Sequence, residues 1–170
     1  ALAAFLGERV ASVFEQRGAD VRNVRAVMAG QTTLVPLTIR RRLDVLPEFT
    51  DTAEFKQLAV LFKRVRNIAR QLPEDAFQAG EAAGLALTAL SEPAEVALGD
   101  EIARRTPAIR QAVEAGDGYR KAFSQAAAFG PAVATFFDDG MVIAEDPVVR
   151  EARLRLLRRL EALILQLTDI

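Results

Sequence analysis

The sequence predicts an all-α fold, a bundle of helices, on the strength of three observations. Apolar residues recur at intervals of three and four along most of the 170 residues, which is the spacing of one face of an α-helix. Residues that begin helices (Asp, Ser, Thr) and residues that end them (Gly, Pro) separate these segments. No segment alternates strictly as a half-buried strand does, so the short apolar stretches 34–37 and 141–144 are expected to be buried loops.

Three helices are predicted before residue 50. The first carries apolar residues from Leu2 to Phe14 and ends near Gly18, because glycine accepts the left-handed backbone that closes many helices. Asp20 is expected to cap a short second helix that runs to Met28, and a third helix covers residues 36–46. We expect residues 1–49 to form an N-terminal helical piece packed on, or leading into, a main bundle of residues 50–170.

The main bundle is predicted to contain longer helices. Thr50 or Asp51 begins a helix that ends near Leu72, and the Ala- and Gly-rich segment 74–90 is either a short helix or a loop. Pro107 is expected to kink or break the helix in which it lies, because proline has no N–H to donate. The remaining helices are expected over residues 93–115, 119–128, 131–137 and 147–168.

The composition excludes the commonest catalytic designs. There is no His and no Cys, so a zinc site of the usual kind, a thiol nucleophile, a disulfide and a Ser-His-Asp triad are all ruled out. No apolar run reaches the roughly 20 residues that span a bilayer. A cytoplasmic location is expected, and the start of the chain within a helical pattern, without Met, suggests a piece of a longer protein.

The net charge of −1 conceals an uneven distribution. Residues 1–75 carry 12 basic and 9 acidic side chains, residues 76–146 carry 5 and 11, and residues 147–170 carry 5 and 3. These totals argue against a strongly basic surface covering the whole molecule, but they leave room for a local basic face.

One such face is predicted on the helix from residue 50 to residue 72. Lys56, Lys63, Asn67 and Arg70 project within about 60° of one another, and Arg66 lies beside them. Cations in a row suit a phosphate backbone, and the amide suits a base edge. An ordinary solvated helix face is the alternative interpretation of the same pattern.

The last helix places Arg153 within its apolar stripe. A buried charge needs a partner, and the nearest carboxylates in sequence are Asp138, Asp139 and Asp146. Arg153 therefore either ties this acidic turn to the helix or lines a recognition cleft at the helix start. The arginines outside the stripe are expected to form a solvated face, with Glu151 and Arg155 paired four residues apart; they are Arg150, Arg155, Arg158 and Arg159.

Three functions are consistent with these features. The chain is an RNA-binding domain, or a non-RNA interaction module that docks a partner through its Leu-rich last helix, or a small Mg²⁺ enzyme. The Mg²⁺ enzyme would depend on four carboxylates, Asp138, Asp139, Glu145 and Asp146. Their positions are more typical of turns and helix caps than of an acid–base pair.

A resemblance to a known family separates these hypotheses. Residues 136–157 begin Phe-Phe-Asp-Asp, continue through an apolar run and an acidic pair, and end Arg-Leu-Arg-Leu-Leu. This stretch resembles the C-terminal, DALR-like anticodon-binding region of the bacterial glycyl-tRNA synthetase beta subunit. Residues 63–68, Lys-Arg-Val-Arg-Asn-Ile, resemble the Lys-Arg-Val-Ser-Asn-Ile of that family, and weaker matches lie at residues 5–30 and 91–95.

The chain departs from the family pattern at four positions. Gly140 stands for Val, Ile143 for Met, Arg66 for Ser and Ala152 for Asn. The last change removes an amide from the start of the final helix, which puts a tRNA contact at Ala152 in doubt.

The resemblance implies a helical bundle similar to the anticodon-binding domains of arginyl-tRNA synthetases, and a role in binding tRNA. The chain would be a non-catalytic part of an aminoacyl-tRNA synthetase, with no cofactor of its own. ATP and Mg²⁺ would bind to the alpha subunit. The implied partners are tRNA-Gly, the remainder of the beta subunit and the alpha subunit, with no membrane and no DNA.

The resemblance also assigns candidate residues to tRNA recognition. The expected RNA contacts are Lys63, Arg66, Asn67, Arg70, Arg150 and Arg153. Residues with a structural or possible recognition role are Asp138, Asp139 and Met141, and Phe137 or Met141 would offer a stacking surface if they are not part of the core.

Overall fold

The computed structural model describes residues 2–29, 31, 33–82, 87–139 and 144–170. Within these ranges the regular structure consists of ten α-helices and no strand, which confirms the prediction of an all-α fold. The helices are α1 (Leu2–Gln16), α2 (Val21–Met28), α3 (Pro36–Val45), α4 (Pro47–Thr50), α5 (Ala53–Ala69), α6 (Glu74–Ala82), α7 (Pro93–Ala115), α8 (Tyr119–Ala127), α9 (Gly130–Asp139) and α10 (Pro147–Leu165).

The centre of the bundle is formed by α5, α7, α8, α9 and α10. α10 packs on α5 and α7, while α9 packs on the same two helices from another side. Phe62, Phe123 and Phe129 are fully buried where these helices meet. The apolar stripe predicted for the last helix is confirmed by its fully buried residues, which are Leu156, Leu157, Leu160 and Leu167.

The N-terminal helices are joined to the bundle by buried and part-buried arginines of α3. Arg42 is buried and its Nη1 donates to the carbonyls of Gln166 and Leu167, each at 3.3 Å. The last carbonyls of a helix have no partner within it, so a guanidinium at the end of α10 is favourably placed. Burial lowers the pKa of this guanidinium from its ordinary value. Arg42 therefore has a structural role at the end of α10.

Gly116 closes α7 next to α3. Its backbone is left-handed, with φ +62°, and a Cβ there would lie 2.9 Å from Thr38 Cγ2. Arg41 Nη1 donates to the Gly116 carbonyl at 2.8 Å. Glycine is thus required both by the turn and by the close approach of α3.

The structure differs from the sequence prediction at α4 and at the start of α5, and it decides two points that the sequence left open. The short helix α4 was not predicted, and α5 begins after Thr52, whose Oγ1 accepts a hydrogen bond from Phe55 N at 3.3 Å. The first part of segment 74–90 is the helix α6. α7 continues through Pro107, so the proline does not break the helix.

Candidate nucleic-acid interface

The outer face of α5 carries cations that the rest of the described chain leaves unpartnered. Lys63, Asn67 and Arg70 are exposed, and their side chains make no hydrogen bond or ion pair with any described residue. Val60, on the same face, is 75% exposed. The face lies opposite the buried side of α5, which includes Phe62. Three polar side chains with open donors therefore follow one another along a single solvent-facing row.

Lys56 continues this row toward the start of α5. Its Nζ lies 3.4 Å from Asp51 Oδ1, and both side chains are largely exposed. An exposed pair of this kind holds its partners weakly. Lys56 consequently remains accessible to a competing anion.

Arg66 is directed away from the outer face of α5, toward the end of the chain. Its Nη1 is hydrogen-bonded to Asp169, and its Nε lies 3.5 Å from Glu161 Oε1. The side chain is 29% exposed. Arg66 is thus held between two carboxylates that link α5 to α10 and to residue 169.

Arg64 is a further cation of α5, and it lies outside the predicted row. Its guanidinium carbon lies 4.3 Å from the centroid of the Phe137 ring, and the side chain is exposed. Phe137 itself is buried, so it belongs to the core and is not a free stacking surface. Sequence spacing gave no sign of this contact because α5 and α9 are brought together only by the fold.

The start of α10 presents Arg150 to solvent. Asp146 caps the helix, its Oδ1 accepting from Val148 N at 2.8 Å, as predicted. Arg150 is exposed and its Nε donates to the Ala144 carbonyl at 3.0 Å. This bond orients the guanidinium while leaving its two Nη groups without a hydrogen bond to the described residues.

Arg153 is buried, and its carboxylate partner among the described residues is Glu95. Nε of Arg153 is hydrogen-bonded to Glu95 Oε1. The other carboxylate oxygen, Oε2, accepts from the backbone N–H groups of Ser91 and Glu92 at 3.1 and 3.2 Å. Glu95 therefore closes the start of α7 and neutralises the arginine of α10 at the same time.

Two of the three carboxylates predicted as partners of Arg153 have other positions. Asp138 is exposed at the end of α9, and Asp146 caps α10. The side chain of Asp139, together with residues 140–143 and hence Met141, lies outside the described residues. The need for a carboxylate at Arg153 was predicted correctly, but Glu95, far away in sequence, was missed.

The prediction of a solvated face on α10 holds for Arg150 and is wrong for Arg155, Arg158 and Arg159, which lie against α6 and the segment before it. Arg155 is buried and donates to the carbonyls of Phe77 and Ala76, both at 3.3 Å. Arg158 donates to the carbonyl of Leu72 at 3.0 and 2.9 Å through Nε and Nη2. The i,i+4 pair of Glu151 with Arg155 is confirmed, at 2.6 Å.

One further hydrogen bond and one glycine help α6 to pack on α10. Arg159 Nε donates to Glu81 Oε1 at 2.9 Å. A Cβ at Gly80 would overlap the Arg155 guanidinium, so the absence of a side chain at this position gives that guanidinium its space. The arginines of α10 thus hold the weakly predicted helix in place.

A groove formed by described residues lies beside the start of α5. Its volume is about 960 Å³, and it is bordered by the α1–α2 turn, by α3 and α4, by the first turns of α5 and by residues 168–170. Its charges have both signs: Arg22 lies 3.3 Å from Asp20 and Arg40 lies 3.7 Å from Asp44, whereas the exposed Arg17 makes no side-chain hydrogen bond or ion pair with described residues. The hydrogen bond from the Arg22 side chain lowers the pKa of Asp20. Three of the four cations that line the groove are therefore paired with carboxylates.

One alternative function loses support from the structure. The leucines of the last helix are buried in the core of this chain, so they are not available to dock a partner. Among the described residues, no group of three or more acidic side chains is arranged to hold a metal ion. Within the same ranges, no helix is long and apolar enough to cross a membrane.

Comparison with known proteins defines the class. The model of the DALR anticodon binding domain matches residues 58–170, and the chain belongs to this family. The matched region begins within α5 and includes every residue of the outer face from Val60 onward.

The similar curated proteins belong to one kind of enzyme subunit within this family. The chain is 39% identical over 168 residues to the glycine–tRNA ligase beta subunit of Anaeromyxobacter dehalogenans, covering 97% of this chain and 22% of that protein. It is 36% identical to the same subunit of Dechloromonas aromatica and 33% identical to that of Haemophilus influenzae, covering 99% and 98% of this chain and 23% of each of those proteins. The chain therefore spans less than a quarter of the length of these curated relatives.

Proposed function

We propose that this chain recognises the anticodon region of tRNA-Gly as part of the beta subunit of a glycine–tRNA ligase. Its membership of the DALR anticodon binding domain family and its similarity to beta subunits over nearly its whole length support this function. The structural observation that carries the proposal is the outer face of α5, where Lys63, Asn67 and Arg70 are exposed and lack partners among the described residues.

Phosphate binding is the first task of this face. Residues 63 and 70 are separated by a rise of about 10 Å along the helix, and both present cations to solvent. Contacts to phosphate position an RNA and provide affinity without reading its sequence. Arg150, at the start of α10, adds a cation whose Nη groups lack hydrogen bonds to described residues.

A neutral amide, which both donates and accepts, suits the reading of a base edge. Asn67 has such an amide, and it lies one turn from Lys63 and one turn from Arg70 on the same face. Unpaired loop bases expose the edges that a side-chain amide recognises. Asn67 is therefore the proposed base-reading residue within a row of phosphate-binding residues.

The chemistry of glycylation belongs elsewhere in this proposal. We assign ATP and Mg²⁺ to the alpha subunit, and to this chain the holding of the tRNA. The remainder of the beta subunit and the alpha subunit are the proposed protein partners, and the cytoplasm is the proposed location, where tRNAs are charged.

The test compares two transcripts over a salt series. The chain should bind tRNA-Gly more tightly than the same tRNA with a substituted anticodon. Affinity for both should fall linearly on a log–log plot as salt rises, because phosphate contacts release counterions. Equal affinities for the two transcripts would contradict anticodon recognition, and binding without a salt dependence would contradict the phosphate contacts.

A further inference from the structure

Arginine side chains lie over aromatic rings at four places among the described residues. We call three of these pairs closed, because their guanidinium groups are already bonded within the protein. In each closed pair the guanidinium also bonds to other protein groups. They are Arg42 over Tyr119 at 5.6 Å, Arg66 over Phe62 at 6.0 Å, and Arg105 over Phe129 at 5.7 Å. Arg42 bonds to backbone carbonyls, Arg66 to two carboxylates, and Arg105 to Glu101 and Gln125.

The pair of Arg64 and Phe137 differs from these three in its separation and in the exposure of its arginine. The separation is 4.3 Å, which is the shortest of the four. Arg64 is exposed, and its donors make no hydrogen bond or ion pair with described residues. The described residues therefore hold it through the ring and leave its donors without a hydrogen-bond partner.

The ring beneath Arg64 is itself fixed. Phe137 is 6% exposed and packs edge-on against Phe136, with centroids 5.5 Å apart and an angle of 70° between the planes. A buried ring restricts the positions of the cation above it, and less conformational freedom is then lost when a ligand binds. Arg64 is thus oriented before any ligand arrives.

The chemistry of an exposed guanidinium over a ring suits one type of ligand in particular. Guanidinium is planar and weakly hydrated, and it stacks on flat aromatic groups, whereas the ammonium of lysine does not. Unpaired RNA bases stack on arginine planes in this way. Asn67 lies one helical turn further along α5, close enough to reach the edge of a base that covers Arg64.

From this geometry we infer that Arg64 is a stacking platform for one unpaired base of the tRNA, with the base covering the guanidinium on the side opposite Phe137. The inference rests on the proposed function and assigns Arg64 to base stacking rather than to phosphate binding. The N–H groups at the edge of the guanidinium remain available to an acceptor on the neighbouring nucleotide.

The main test is Arg64→Lys, with binding of a tRNA-Gly transcript measured over a salt series. The substitution keeps the charge and removes the plane, so affinity should fall about tenfold, the loss of one stacked base, with the salt slope unchanged. Arg25→Lys is the matched control, because Arg25 is an exposed arginine of α2 without a hydrogen bond or ion pair to described residues. It should bind as the unsubstituted chain does. Both variants should keep the unsubstituted melting temperature.

A double-mutant cycle identifies the base. Anticodon stem-loops of tRNA-Gly with one abasic loop position each are bound to the unsubstituted chain and to Arg64→Lys. At one position the abasic RNA should weaken binding to the unsubstituted chain and cause little further loss with the variant, since the two changes remove the same contact. Additive losses at every loop position would overturn the stacking assignment.

The outcomes separate this inference from the proposed function. Arg64→Lys binding as tightly as the unsubstituted chain, in an assay that still distinguishes the anticodon variant, contradicts the platform alone. Equal binding of tRNA-Gly and its anticodon variant by the unsubstituted chain contradicts the proposed function. A chain that binds no RNA contradicts both.

Discussion

The arginines of α10 and the cations of α5 have opposite surroundings. Arg155 and Arg158 donate to backbone carbonyls of α6 and of the segment after α5, and Arg153 is buried against Glu95. On α5, Lys63 and Arg70 are exposed and have no partner among the described residues. The same class of side chain therefore connects helices in one place and remains available for a ligand in the other.

This contrast shows why charge alone does not locate a binding site. The last helix carries five arginines in 10 residues and looks the more basic of the two helices. Burial removes most of them from solution, because a desolvated cation must be satisfied by carboxylates or carbonyls inside the protein. The better guide to a nucleic-acid site is a cation whose donors the fold leaves open.

The largest effect is expected from Arg153→Ala. The change removes the guanidinium partner of Glu95 and leaves its carboxylate buried. The free energy of unfolding should therefore fall by on the order of 3 kcal/mol. Urea denaturation measures it, and Arg150→Ala, an exposed neighbour on the same helix, is the control and should stay within about 0.5 kcal/mol. If Arg153→Ala keeps the native stability but binds tRNA weakly, Arg153 contacts RNA and the structural role is contradicted.

A smaller loss is expected from Gly80→Ala. The new Cβ displaces the Arg155 guanidinium from the carbonyls that it satisfies, at a cost of about 1–2 kcal/mol even after the better helix propensity of alanine. Gly99→Ala is the matched control, since its Cβ would meet only Leu156 Cδ1 at 3.8 Å, an ordinary contact. It should stabilise α7 by roughly 0.5–1 kcal/mol. Thermal melting of both proteins is the measurement, and a stabilised Gly80→Ala would show that Arg155 is not held as described.

Lys63→Ala should change RNA binding and leave stability alone. Removing one phosphate contact should weaken binding to all RNAs by a similar factor and lower the salt slope by about one unit. The melting temperature should not move, because the side chain is exposed and makes no contact with described groups. An unchanged salt slope would remove Lys63 from the phosphate-binding residues.

The smallest effect is expected at Glu101, the carboxylate that pairs with Arg104 and Arg105 near the surface. The hydrogen bond from Arg104, and then that from Arg105, lowers the pKa of Glu101 from its ordinary 4.5. The stability from this pair is therefore present above pH 4.5 and is lost as the pH falls through the lowered pKa. Glu101→Gln should reduce stability near neutral pH by less than about 1 kcal/mol, a difference that disappears in acid. A difference that persists at low pH would require another cause.

Local signals were sufficient for much of the fold. Asp20 and Asp146 cap the helices for which they were predicted, and the apolar stripe of the last helix is buried. Helix caps and apolar stripes depend on residues close together in sequence. The spacing of residue types along the chain is therefore enough to predict them. The extent of α6 was left open because its arginine partners lie on α10.

The candidate site was only partly predictable, for the same reason. The outer face of α5 follows from helical spacing, and the structure shows Lys63, Asn67 and Arg70 exposed on it. Spacing did not reveal that Arg66 turns to Asp169 and Glu161, or that Arg64 lies over Phe137. Those contacts join helices remote in sequence, and a periodic pattern contains no information about them.

The most direct test of the α5 interface uses the three lysines of the chain, which are Lys56, Lys63 and Lys121. Acetylation by a limiting reagent, with and without tRNA-Gly, followed by mass spectrometry, gives the accessibility of each lysine in the same sample. Lys63 should be strongly protected by the tRNA, while Lys121, exposed on α8, should react at an unchanged rate and serve as the internal control. Protection of Lys121 with continued reaction of Lys63 would contradict the assignment of RNA binding to the outer face of α5.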